Sequence, residues 1–122
     1  MNELQADSLR ALAQSTAEFY ARFGVQPVLD DTIQNFQEEV RELIEAARSA
    51  EDRHHIAEEA ADVFVTALGI CFASGVDVDL LLQQVYTVIG KNDAKSHTTH
   101  VYHDGKIRRR SSLGHTNGDA PT

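Results

Sequence analysis

The chain has 122 residues, of which 42% are hydrophobic and 7% aromatic, enough for one domain with a single modest core and too little for two. Its formal charge of −8 is uneven: residues 1–90 hold 16 acids against five bases, whereas residues 91–122 hold three acids against six bases. Nonspecific nucleic-acid binding by the acidic body is therefore disfavoured, while a polyanionic substrate held through bridging cations and the lysines of the tail is compatible with this balance.

No apolar run approaches the roughly 20 residues that a membrane-spanning helix needs, and no N-terminal stretch joins a basic region to an apolar one. A soluble, cytoplasmic protein is expected. The single cysteine, Cys71, permits no internal disulfide and falls in an apolar helical stretch, where a buried core thiol is expected.

Hydrophobic periodicity predicts four helices before residue 96. The first, from about Asn2 to Arg22, carries Leu4, Leu9, Leu12, Thr16, Phe19 and Phe23 at three-to-four spacing and stops at Gly24. Asp31 with Gln34 then forms the pattern of a capping box for the second, about Thr32 to Arg48, in which Ile33, Phe36, Val40, Leu43, Ile44 and Ala47 make one stripe. Glu38, Glu39 and Glu42 sit beside that stripe.

The third helix, about Glu51 to Ser74, places Ile56, Ala60, Val63, Phe64, Ala67, Leu68 and Cys71 on one face, is bordered by Glu58, Glu59 and Asp62, and ends at Gly75. The fourth opens on Asp77 as N-cap and shows Val78, Leu81, Leu82, Val85, Val88 and Ile89 in register. Continued past Gly90, that register brings Asn92 inward with Lys91 and Lys95 beside it. From Ser96 the composition changes: Asp104-Gly105 between Val101-Tyr102 and Ile107 signals a small hairpin, and the Ser/Gly/Asn/Pro-rich end is expected to be disordered. The expected organisation is an all-α, four-helix domain over residues 1–96 with an irregular or hairpin tail over 97–122.

Residues three and four apart on a helix are neighbours, so Glu38 and Glu42, or Glu39 and Glu42, can converge on one helix, as Glu59 and Asp62 can on the next. A short connection makes consecutive helices antiparallel neighbours and sets the acidic pairs opposite each other. Carboxylates gathered beside an apolar seam repel one another unless protons or metal ions neutralise them. Mg²⁺, which takes oxygen ligands and shares itself between carboxylates, water and phosphates, suits such a site, and Mn²⁺ is an alternative.

The string Glu38-Glu39-Val40-Arg41-Glu42-Leu43, with 16 residues separating Glu42 from Glu59-Ala60-Ala61-Asp62, resembles the EExxE…ExxD signature of the all-α nucleoside triphosphate pyrophosphohydrolases, the MazG-like superfamily. That superfamily includes dimeric dUTPases, dCTP pyrophosphatases and phosphoribosyl-ATP pyrophosphohydrolases. The likeness spans about residues 30–95 and takes in Lys91-Asn92-x-x-Lys95.

The resemblance implies a helical bundle assembling as a homodimer or homotetramer, and cleavage of a nucleoside triphosphate between its α and β phosphates to the monophosphate and pyrophosphate. It implies Glu39, Glu42, Glu59 and Asp62 as the principal Mg²⁺ ligands. Glu38 would be a further ligand or the base that orients the attacking water, Lys91 and Lys95 would neutralise phosphate oxygens, and Asn92 would bond the sugar or a phosphate. Nucleotide-pool housecleaning is the implied role; hydrolysis of phosphoribosyl-ATP, or a non-catalytic helical interaction module, are the alternatives.

Other readings rest on fewer residues. A ferritin-like di-iron bundle needs Glu-x-x-His on two helices, and only Glu51-x-x-His54 fits. His97, His100 and His103 form an imidazole-bearing stretch in a solvated tail, and His54 and His55 are expected to be exposed at a helix start. Lys106, Arg108, Arg109 and Arg110 make a short basic run, read as solvated tail or as a contact to a neighbouring subunit or to nucleic acid.

Overall fold

The computed structural model describes residues 8–50 and 52–111. Four helices, α1 (Ser8–Arg22), α2 (Leu29–Arg48), α3 (Arg53–Ala73) and α4 (Val78–Asp93), are followed by an antiparallel hairpin of β1 (His100–His103) and β2 (Lys106–Arg109). The class is all-α with a short hairpin tail, as the periodicity predicts. Among the described residues no helix is long and apolar enough to cross a membrane. The predicted start of the first helix and the expected disorder of the chain end lie outside the described residues, as does Glu51.

The chain divides into two compact units, one ending at Leu82 and the other beginning at Gln83. In the first, α2 and α3 form the main contact and α1 packs on α3. Few residues separate α2 from α3, and the two pack together as an antiparallel helical hairpin.

Three helices meet at Gly69. A Cβ there would lie 2.7 Å from the Tyr20 hydroxyl of α1 and 3.4 Å from Thr32 Cγ2 of α2, so the absence of a side chain is what permits the approach. Thr32 is itself buried and can be so because its hydroxyl donates to the Leu29 carbonyl oxygen at 2.8 Å. Thr16 does the same with Leu12 at 2.9 Å.

The capping box expected of Asp31 and Gln34 is not formed. Helix α2 begins earlier, with the extended Val28 as its N-cap and no side-chain bond, so Asp31 falls inside the first turn beside Asp30. There the two carboxylates favour the positive end of the helix dipole instead of capping it. Helix α3 is capped by Asp52, which accepts from the His54 amide at 3.4 Å. The expected cap of α4 is present, Asp77 Oδ1 accepting from Leu80 N–H at 2.8 Å. At the end of α3, Gly75 adopts φ +81°, a left-handed conformation that costs glycine nothing, and the Val76 amide closes back on the Cys71 carbonyl at 2.9 Å.

The apolar stripes are covered only in part. Among the described residues the buried hydrophobic ones are Ala13, Ala46, Leu68 and Leu82, and no large side chain is fully enclosed. Ile33 and Ile44 on α2 and Phe19 and Phe23 on α1 are exposed, and Phe64 on α3 remains 57% exposed. Cys71, expected as a buried core thiol, is half-buried.

In the second unit, α4 runs through Gly90 to Asp93 and the hairpin pairs Val101 with Arg108 and Tyr102 with Ile107. Asp104 (φ +51°) and Gly105 (φ +77°) form its two-residue loop, the left-handed pair that an Asp-Gly hairpin turn demands. Arg110 ties the end of β2 back, its amide donating to the Thr99 carbonyl at 2.9 Å and its Nε to the His97 carbonyl at 2.6 Å.

Candidate metal centre

Glu39 and Glu42 stand one turn apart on α2, and Glu59 faces them from α3. One carboxylate oxygen from each lies within 4.8 Å of the other two. This is the only group of three such ligand atoms among the described residues, and none of the tail histidines joins one.

Two of the oxygens are stranded. Glu39 Oε2 and Glu59 Oε2 are buried with no hydrogen-bond partner among the described residues. A buried carboxylate oxygen without a partner is costly, more so beside other carboxylates.

The electrostatics follow from that geometry. Burial first, then the charge of Glu42 and a hydrogen bond shared with it, then Asp62 and Glu59, push the Glu39 carboxyl above the usual glutamate range. Glu59 is raised as well, by burial, then by Glu42, Asp62 and Glu58, against an opposing pull from His55. Such a cluster holds extra protons or a cation. Its donors are all carboxylate oxygens, with no thiolate or imidazole among the three, which suits a hard divalent ion such as Mg²⁺ or Mn²⁺.

Of the residues singled out in the sequence, Glu39, Glu42 and Glu59 are thus brought together. Asp62, one turn after Glu59, acts electrostatically on both Glu39 and Glu59 but contributes no oxygen to the three-atom group. Glu38 is exposed and outside it, as adjacent residues on a helix point about 100° apart. Lys91, Asn92 and Lys95 lie in the second unit, where Lys95 Nζ donates to Asn92 Oδ1 at 3.0 Å.

His55, expected to be merely exposed, is a participant. Its Nε2 lies 3.3 Å from Glu59 Oε1 and its Nδ1 lies 3.5 Å from Glu58 Oε1. The signal available in the sequence was the spacing of three and four residues from His55 to Glu58 and Glu59.

The model of the phosphoribosyl-ATP pyrophosphohydrolase family matches residues 10–87, which takes in all of α2 and α3 and every acid of the cluster. The chain belongs to this family. It is therefore a member of the MazG-like all-α pyrophosphatase superfamily, whose enzymes hydrolyse acid anhydrides of nucleotides and generally depend on divalent metal. Members of the family often oligomerise. No significant match was found among curated proteins or among solved structures. The matched segment ends before Lys91, Asn92, Lys95 and the hairpin.

Proposed function

We propose that this pyrophosphohydrolase is a Mg²⁺-dependent enzyme that cleaves (d)NTP to (d)NMP and pyrophosphate, with Mn²⁺ as a substitute metal, in nucleotide-pool housecleaning. The observation that carries the reading is the pair of buried, unpartnered oxygens, Glu39 Oε2 and Glu59 Oε2, within a three-carboxylate cluster. Glu39, Glu42 and Glu59 hold the metal, and Asp62 supplies a fourth carboxylate.

When bound, the ion neutralises phosphate oxygens and acidifies a coordinated water. The protein's own part is to gather the ligands and to dispose of a proton. Glu38, exposed beside Glu39 and not drawn into the three-oxygen group, orients the attacking water and accepts its proton. Lys91 and Lys95 offset phosphate charge, and Asn92 bonds the substrate. The leaving pyrophosphate departs with the electron pair of the broken P–O bond.

Exposed apolar side chains of the first unit, Phe19, Phe23, Ile44 and Phe64 among them, support a homodimer or homotetramer in which a second copy covers them. A cytoplasmic location is part of the same reading.

Phosphoribosyl-ATP is the second substrate reading, favoured by the description of the matched family. It presents the same triphosphate to the same carboxylates, so the two differ only in recognition of the remainder. Pyrophosphate release from canonical and modified nucleoside triphosphates and from phosphoribosyl-ATP, with Mg²⁺ and with EDTA, decides between them. Release from none would leave a helical interaction module.

A further inference from the structure

Two cavities flank the end of α4, both within the second unit. One, of about 590 Å³, is walled by Lys91, Lys95 and Arg109; the other, of about 630 Å³, is walled by Val101, Tyr102, Ile107 and His97. Asn92, Lys95 and His100 line both, so the two adjoin at those side chains.

The first cavity is cationic and uncompensated. Among the described residues no carboxylate forms an ion pair with Lys91, Lys95 or Arg109. In a chain of net charge −8, three cations facing one space without an acid call for an anion from outside.

The second cavity carries the apolar side chains of the hairpin, Val101, Tyr102 and Ile107. Tyr102 is 70% exposed and Ile107, its cross-strand partner, is 49% exposed, which leaves a ring and an aliphatic surface facing solvent on one hairpin. Polar groups line it too, among them Asn92 and His100, whose Nδ1 is 2.7 Å from Thr99 Oγ1. Partial burial, then the nearby Arg109 and Lys95 charges, push the His100 pKa below the usual histidine range, which favours the neutral ring. A cationic cavity adjoining one that holds an aromatic ring and a few polar groups matches a phosphorylated heteroaromatic ligand.

We infer that the hairpin cleft is the base pocket of a nucleotide-binding site, with the base against Tyr102 and Ile107 and its phosphates on Lys91, Lys95 and Arg109. The inference rests on the proposed substrate class and extends it: Tyr102, Ile107, His100 and Arg109 become the residues that select the nucleotide. They lie beyond the segment that matches the family, which ends at residue 87, as suits an element that sets this chain's own preference.

The test is calorimetric titration of the full-length protein with a panel of nucleoside 5′-monophosphates and, separately, inorganic tripolyphosphate, all in EDTA. Tyr102→Ala should weaken the preferred monophosphate on the order of tenfold, as loss of a base-stacking ring does, while tripolyphosphate affinity stays within twofold. Tyr102→Phe should restore it, and Arg109→Ala should weaken both ligands. If Tyr102→Ala binds every monophosphate as the unaltered protein does, the inference is wrong. It is equally wrong if that variant changes only the oligomeric state, since the exposed ring is then a subunit contact.

Failure of the proposed hydrolysis reads differently. Ring-dependent monophosphate binding without pyrophosphate release would retain the pocket and remove the reaction, whereas release unaffected by Tyr102→Ala, with ring-independent binding, would retain the reaction and remove the pocket.

Discussion

His55 Nε2 lies 3.3 Å from Glu59 Oε1, while the other oxygen of that carboxylate, Oε2, is buried without a partner. The imidazole thus stands against one oxygen of a carboxylate that shares the three-oxygen group with Glu39 and Glu42. Partners of this kind fix ligand orientation, and their loss typically costs about 10- to 100-fold in metal affinity. His55→Ala should therefore weaken Mn²⁺ binding, followed by electron paramagnetic resonance, by about tenfold with helicity unchanged. Unaltered Mn²⁺ affinity would remove this role.

The raised carboxyls of Glu39 and Glu59 give the metal-free protein a specific pH dependence. Both titrate near 4.5 in the unfolded chain and higher in the folded one, so the folded state binds more protons between those values. Their contribution favours folding below the unfolded value and is lost as pH rises through the folded one. At neutral pH without metal, Glu59→Gln should thus melt at a higher temperature than the unaltered protein, and the gap should close below the unfolded value. Adding Mg²⁺ should reverse the order, because the ion stabilises only the intact cluster. A gap independent of pH would contradict the cluster's electrostatics.

Glu42→Gln and Asp62→Asn delete ligand charge without opening a cavity. Each should lower turnover by on the order of 100-fold or more, with the circular dichroism spectrum unchanged. Glu38→Gln should lower kcat while leaving Mn²⁺ affinity intact, the pattern of a group that handles the proton and not the metal. Full activity in the Glu42 and Asp62 variants would remove the metal assignment.

Phe64 on α3, 57% exposed, is among the apolar side chains that a second copy would cover. Phe64→Asp should raise the subunit dissociation constant by about 30-fold or more, as loss of a central aromatic anchor does, seen by sedimentation at micromolar concentration. A monomeric unaltered protein would contradict the assembly itself.

The helices are legible in the sequence because each carries a periodic stripe of apolar residues, and the hairpin because Asp104-Gly105 is a turn that few other pairs form. The start of α2 is less legible: Asp31 and Gln34 have the letters of a capping box, but the extended Val28 lets the helix begin before them. Periodicity also overstates burial. Ile33, Ile44 and Phe64 belong to their stripes yet stay exposed, because a stripe records which face is apolar and not whether this one chain covers it. At the candidate site the spacing offers Glu38, Glu39, Glu42, Glu59 and Asp62 without choosing among them; which oxygens converge, and whether His55 reaches Glu59, depend on rotamers and packing that spacing only permits.

The most direct test of the account is pyrophosphate release from nucleoside triphosphates by the purified protein, compared in Mg²⁺, in EDTA and with Glu42→Gln. The account predicts pyrophosphate and monophosphate in equal amounts, abolished by EDTA and lowered on the order of 100-fold or more by the substitution. Release of orthophosphate instead, or hydrolysis that survives both EDTA and the loss of Glu42, would contradict it.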